Sequence, residues 1–230
     1  MIKKDYIEVV YNETDVPFTS YPKKLTKYLS KKYNIQKKNN LLELGCGRGE
    51  FLKGFSDIGI DCYGVDLSDY AKKICPTADI SKVNLLLEEL PFQDNFFDFI
   101  YSKSFIEHFY YPEKIFEKSY RVLKPGGKLI SLTPDWETIY KMFYEDYTHR
   151  TPFTITSLKD IHLINGFKNV KVERFRQLPI TWKNDGGYNS FFLLLAKITR
   201  LISPPFLKKN FNWVRFSKEI MLLSSAEKDL

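Results

Sequence analysis

Three glycines, Gly45, Gly47 and Gly49, fall within five residues directly after the apolar run "LLEL", and a carboxylate, Glu43, stands just before them. Glycine adopts positive φ without steric cost and lets a ligand approach the backbone closely. The spacing G-x-G-x-G departs from the dinucleotide fingerprint G-x-G-x-x-G, because Glu50 occupies the sixth position. About twenty residues on, Asp66 closes the next apolar stretch, where a carboxylate can accept both hydroxyls of a ribose. The pattern therefore points to a nucleoside ligand. The blander alternatives are a plain glycine turn and an Asp66 that caps the helix opening at Ser68.

Glu43 separates the nucleoside cofactors by charge. A pyrophosphate gains from the N–H groups of a helix N-terminus but is repelled by a neighbouring carboxylate, whereas a ligand with an ammonium and a sulfonium is attracted. Charge favours S-adenosylmethionine over NAD.

Positioning these residues requires strands that end at the loop and helices that start from it. Apolar runs alternate with amphipathic segments: a helix over 22–33, a strand over 41–44, a helix from the glycines to about Gly59, and a strand "DCYGVDLS" with Ser68 capping the following helix. Further strands are expected at 82–87, at 96–102 and, after a helix over 112–123 and the turn "KPGG", in "KLISLTP". Strand–helix alternation in short order predicts an α/β fold, a doubly wound and mostly parallel sheet with helices on both faces. Past Pro134 come the helix "TITSLKDIHLINGF", the strand "KNVKVERFRQL", the apolar helix "NSFFLLLAKITRLIS" stopped by Pro204-Pro205, and a closing strand "RFSKEIMLLSSAEK". The domain reading is an N-terminal helical cap over 1–39 and a main domain over 40–230, with a helical insertion at about 186–210.

In this order and spacing, "LLELGCGRGEFL", "VDLS", "ELPFQDNFFDFIYSKSFIEHF" and "RVLKPGGKLISLTP" resemble the class I S-adenosylmethionine-dependent methyltransferases. The resemblance implies a Rossmann-like seven-stranded sheet whose last strand runs antiparallel between strands five and six. It also implies that Glu43, Gly45, Cys46, Gly47 and Gly49 line the methionine part of the cofactor, that Asp66 holds the ribose and that Leu67 packs on the adenine. In "NLLLEELPF" a leucine, Leu86 or Leu87, stands where the family usually has an Asp, which leaves backbone atoms near Leu87 and Glu88 to meet the adenine. Ser102 and Lys103 would face the far side of the cofactor and the incoming substrate. His108, in "IEHF", is expected to tie the loop through a hydrogen bond rather than to act as a base.

The acceptor is narrowed by absences. No Asn/Asp-Pro-Pro-aromatic segment follows strand four, Cys75-Pro76 has the wrong order and place for cytosine methylation, and no paired-glutamate loop follows the fourth strand. The segment "FYEDYTHRTPFTITSL" resembles methyltransferases grouped with bacterial surface polysaccharide genes. That resemblance implies His149 as base, Asp146 orienting it, Arg150 on an anionic group, and Trp136 and Tyr147 stacking on a sugar. Alternatively, His149 and Arg150 only pin a surface loop. The expected reaction is O-methylation of a sugar or a lipid-linked glycan precursor. The rivals are a quinone-type or other small aromatic acceptor, RNA, and a regulatory protein that binds the cofactor without turnover.

The net charge of +7 would suit an anionic partner, yet the lysines of "YPKKLTKYLSKKYNIQKK" recur at helical spacing and read as a solvated face, so nucleic acid is disfavoured. Cys46, Cys62 and Cys75 form no CxxC pair, which argues against structural zinc and for a reducing, cytoplasmic location, and no metal is expected. The N-terminus lacks the continuous apolar run of a signal peptide. The apolar helix over 190–202 is shorter than the ~20 residues a membrane span needs. It is expected to cap the site or join two subunits, with peripheral membrane contact, aided by Lys197, Arg200, Lys208 and Lys209, as the alternative; monomer and homodimer both remain open.

Overall fold

The computed structural model of the chain describes Ile7, Val9, Glu13, Thr14 and residues 16–183, 185–203 and 212–230. In chain order the elements are α1 (Tyr21–Tyr33), β1 (Asn40–Leu44), α2 (Glu50–Ser56), β2 (Asp61–Asp66), α3 (Ala71–Ile74), β3 (Asp79–Lys82), β4 (Phe97–Lys103), α4 (Glu113–Val122), β5 (Leu123–Pro134), α5 (Trp136–Ile139), α6 (Ile155–Ile164), β6 (Lys168–Arg176), α7 (Ser190–Ile202), α8 (Asn212–Lys218) and β7 (Ile220–Glu227). Seven strands form one sheet in the order β3-β2-β1-β4-β5-β7-β6. The first five run parallel, and β7 lies antiparallel to both β5 and β6. This is the Rossmann-like architecture expected.

Period-2 alternation distributes the strands' side chains between two cores. Leu41, Tyr101, Ile130 and Leu223 pack with Leu25 and Leu29 of α1 and Leu52 and Phe55 of α2. Leu42, Leu44, Ile100, Leu129 and Leu222 pack on the opposite face with Phe116 of α4 and Leu158 of α6. Glu43 shares a face with Leu41, so the strand geometry that builds the first core also carries a carboxylate into it. α6 starts from a reciprocal cap: Thr154 accepts from the Ser157 N–H, and the Ser157 hydroxyl accepts from the Thr154 N–H.

Three expectations are corrected. The third strand is 79–82, not 82–87: the Asn84 carbonyl accepts from the N–H groups of Leu87 and Glu88 and its side chain from that of Leu86, which makes a turn. Of the three leucines there, only Leu85 is buried. "KPGG" does not precede β5 but lies inside it, where the pairing with β4 jumps from Phe97↔Leu123 to Phe99↔Lys128. Finally, Arg215–Lys218 belongs to α8, supported by an i,i+4 pair between Arg215 and Glu219, and β7 begins only at Ile220.

The apolar helix exists as α7, but Phe191, Leu194, Leu195, Ile198, Leu201 and Ile202 are exposed and belong to neither core formed by the described residues. No helix among the described residues is long and apolar enough to cross a membrane. Pro204-Pro205, Lys208, Lys209, the end of the 186–210 insertion and much of 1–15 lie outside the described residues.

Candidate functional site

At the carboxyl ends of β1, β2 and β4, where the winding direction of an open sheet reverses, lies a cavity of about 460 Å³. Glu43, Gly45, Cys46, Gly47, Asp66, Leu67 and Lys103 from the sequence reading all reach its wall. Its far wall comes from Val83, Asn84, Leu85 and Leu86, so the turn after β3 supplies that side. Leu87, 83% exposed, and Glu88 lie outside it, the Glu88 carboxylate accepting instead from the Asn84 N–H. Ser102 is buried beside Leu44 and Ser131 in the sheet rather than on the wall.

The glycines divide into two kinds. A Cβ on Gly45 would lie 2.2 Å from the Phe105 ring, and one on Gly49 would lie 2.9 Å from Ala71, so these two are demanded by packing within the protein. Among the described residues, the atom nearest a Cβ on Gly47 would be on Ile7, at 3.8 Å. Gly47, at φ +49°, is therefore the glycine of the cavity wall with room for a Cβ among the described residues. The loop is held from beneath by Asp66, whose two carboxylate oxygens accept from the N–H groups of Gly47, at 2.9 Å, and Ser68, at 3.1 Å.

Glu43 is 2% exposed and one of its oxygens has no hydrogen-bond partner. Its register partner in β4, Tyr101, likewise has a buried and unpartnered hydroxyl. Burial, and then the Asp66 charge, push the Glu43 carboxyl well above the ordinary range. Burial also lowers the Lys103 ammonium, against the opposing pull of Glu107 and Glu43. Orphaned buried polar atoms mark a place for water or ligand. A cavity that carries Glu43, Glu50 and Asp66 and one such atom, on Glu43, fits an adenosyl ligand bearing an ammonium and a sulfonium.

A second cluster borders the same cavity. His108 and Thr148 line it. The Thr148 hydroxyl donates to an Asp146 carboxylate oxygen at 2.5 Å and lies 2.9 Å from His108 Nδ1. A hydroxyl has one hydrogen, so Thr148 accepts from His108 Nδ1–H and leaves His108 Nε2 as the basic nitrogen. Burial, then the His149 ring 4.9 Å away, hold His108 below the ordinary imidazole range. Burial works to raise the Asp146 carboxyl, but the hydroxyl and backbone N–H of Thr148 pull it below its usual value.

His149 does not reach the cavity wall. Its Nδ1 lies 2.6 Å from the Phe143 carbonyl, to which it donates, and its Nε2 lies 3.8 Å from Asp146. Behind both rings, Glu107 is fully buried: one oxygen accepts from the Thr133 hydroxyl at 3.0 Å, the other has no partner, and burial raises the carboxyl to about 7. Glu107, His108 and His149 each bring one donor atom within 4.8 Å of the others, a set able to hold a divalent cation. Arg150 donates to the Tyr147 and His149 carbonyls and lies over Tyr110, which pins the loop. Tyr147 is 80% exposed, and Trp136 packs edge-on against Phe143; neither is on the cavity wall. The resemblance implies His149 as the base, whereas His108 is the histidine that lines the cavity, and the sequence carries no signal for Thr148 beyond its place in "DYTHR".

Residues 42–131 match the family model described as a methyltransferase domain. Over 141 residues the chain is 35% identical to an uncharacterized protein of Methanocaldococcus jannaschii, covering 56% of this chain and 65% of that one. Over 128 residues it is 33% identical to the ubiquinone/menaquinone biosynthesis C-methyltransferase UbiE of Psychromonas ingrahamii, covering 50% of this chain and 51% of that one. The chain thus spans between about half and two thirds of the length of these relatives. Among solved structures, a SAM-dependent methyltransferase from Archaeoglobus fulgidus matches with a TM-score of 0.66 at 21% identity, covering 97% of this chain and 100% of that one.

Proposed function

We propose that the chain is a class I S-adenosylmethionine-dependent methyltransferase that methylates a hydroxyl group, with His108 as the general base, a reading supported by the methyltransferase-domain match over residues 42–131. The observation that carries the reading is the relay from His108 through Thr148 to Asp146 at the cavity wall. S-adenosylmethionine, when bound, supplies a methyl group made electrophilic by its sulfonium. Glu43, Gly47 and Asp66 are the residues that would hold it, with Val83, Leu85 and Leu86 as the apolar wall beside its base.

The chain's own work is alignment and proton management. An acceptor hydroxyl beside His108 gives its proton to Nε2 as its oxygen gains the methyl group. The resulting imidazolium keeps its Nδ1–H on Thr148, and the Asp146 carboxylate at the end of the relay stabilises the new positive charge. Because His108 is held neutral near pH 7, it is ready to accept that proton. In this reading Asp146 orients His108 through Thr148, in place of the His149 partner that the resemblance implies. A sugar or lipid-linked glycan precursor remains the favoured acceptor. A phenolic ring is the second reading, favoured by the similarity to the UbiE C-methyltransferase.

The test is transfer of label from S-adenosylmethionine to fractionated glycan, lipid and quinone pools by wild type and His108→Gln. The variant is expected to bind cofactor normally and to transfer roughly a hundredfold to ten-thousandfold more slowly. Equal rates in the two proteins would remove His108 from the chemistry.

A further inference from the structure

Beyond the cavity, on the same carboxyl-end side of the sheet, a groove of about 630 Å³ lies between the end of β6 and helix α7. Arg174, Arg176, Lys197 and Arg200 line it, with Glu137 as the one carboxylate among the lining residues. Glu137 is engaged by Arg174, which also binds Asp135. No carboxylate among the described residues pairs with Arg176, Lys197 or Arg200. Arg176 is only 8% exposed, and its buried Nε has no hydrogen-bond acceptor. Burial, and then repulsion from Arg200, lower its pKa. A guanidinium buried beside another cation and lacking a counter-charge costs folding free energy, which an anion in the groove would recover.

We propose that this groove binds a phosphate or diphosphate group of the methyl acceptor, a reading that rests on the hydroxyl methylation proposed above. Guanidinium forks match phosphate oxygens in a bidentate manner, and Arg176 and Arg200 bring two such forks to one groove. The register places it relative to the chemistry: Lys103 pairs with Leu132, and β5, β7 and β6 follow in order, with Arg176 opposite Ile220. At about 4.8 Å per strand, the lateral separation from Lys103 to Arg176 is about 14 Å. The acceptor therefore carries its phosphate well away from the hydroxyl that reacts, as a glycosyl diphosphate does. The helix that supplies Lys197 and Arg200 also turns six apolar side chains outward, which suits a phosphate delivered on a lipid.

The experiment titrates inorganic pyrophosphate into wild type, Arg176→Gln and Arg200→Gln by calorimetry, with S-adenosylmethionine titrated into each as a check on folding. Sedimentation with phosphatidylcholine vesicles, with and without phosphatidic acid, runs beside it. Pyrophosphate is expected to bind wild type and to bind both variants about tenfold or more weakly, the worth of one lost charged hydrogen-bonding group. Arg200-dependent binding to vesicles holding phosphatidic acid places the phosphate on a lipid; binding of soluble pyrophosphate alone places it on a soluble acceptor, and either result carries the site. No binding of pyrophosphate or vesicles by wild type, or unchanged affinity in Arg200→Gln with intact cofactor binding, overturns it. Pyrophosphate binding without any methyl transfer would instead defeat the enzymatic reading and leave the groove standing.

Discussion

The ring of Phe105 occupies the space that a side chain on residue 45 would need: a Cβ built on Gly45 lies 2.2 Å from it. The loop after β1 and the loop after β4 are thus shaped against each other. Gly45→Ala should destabilise by about 1–3 kcal/mol from overpacking, with roughly 1–2 kcal/mol more because φ at 45 is +69°. Phe105→Ala in the same chain should recover the first part and not the second. Urea unfolding of the two single variants and the double variant separates these contributions; a double variant no more stable than Gly45→Ala would show that the ring is not the obstacle.

Glu43 gives the cofactor site a proton signature. Its carboxyl is raised well above the ordinary range by burial and by Asp66, so a cationic ligand seated beside it should draw that pKa down and release a proton. The apparent enthalpy of S-adenosylmethionine binding should therefore vary with the ionisation enthalpy of the buffer. Glu43→Gln should abolish the variation and weaken binding. Buffer-independent heats in wild type would mean that Glu43 does not sense the ligand's charge.

The base assignment predicts where activity falls on acidification. A base must be neutral to work, and His108 lies below the ordinary imidazole range, so the acid limb of kcat/KM should sit below about pH 6.5. The Asp146 charge supports the protonated ring, so Asp146→Asn should lower the rate and move the limb to still lower pH. A chelator should leave turnover unchanged. Loss of activity on chelation, restored by a divalent cation, would reassign Glu107, His108 and His149 as its ligands.

Stability has its own pH dependence, far from the cavity. His162 is fully buried, its Nδ1 donates to the Leu158 carbonyl at 2.6 Å, and burial lowers its pKa to about 4. Below about pH 6.5 the unfolded chain binds a proton at this residue that the folded chain refuses, so stability falls as pH drops from there through 4. The loss is on the order of 3 kcal/mol over that window. Urea unfolding at pH 7 and pH 4.5 should show a shallower pH dependence for His162→Leu than for wild type, and parallel slopes would refute the assignment.

Local signals carried much of this into the sequence. Glu43, Gly47 and Asp66 stand within one strand–loop–helix–strand unit, and apolar periodicity with residue charge was enough to assemble them. The place of β7 was legible only through family resemblance, since no local pattern tells an inserted antiparallel strand from an edge one. What stayed hidden joins distant segments. His108 and Thr148 are forty residues apart and meet where the N–H groups of Arg150 and Thr151 bond to the Glu107 carbonyl and the Thr151 hydroxyl bonds to that of Phe109. Likewise, nothing in the sequence joins Arg176 of β6 to Arg200 of α7 until the fold brings them to one groove. The run "NLLL" misled because consecutive leucines look alike in a sequence, whereas the Asn84 turn buries one and exposes two.

The antiparallel β7 also governs how the molecule can be made. Among the described residues, β6 has no neighbour in the sheet except β7. During synthesis on the ribosome, β5 and β6 must therefore wait with open edges until residues 220–227 emerge to bridge them. Such long-range closure is slow, and unpaired edges invite aggregation. The nascent chain is thus most vulnerable in that interval, when chaperone protection of the exposed strands would matter most.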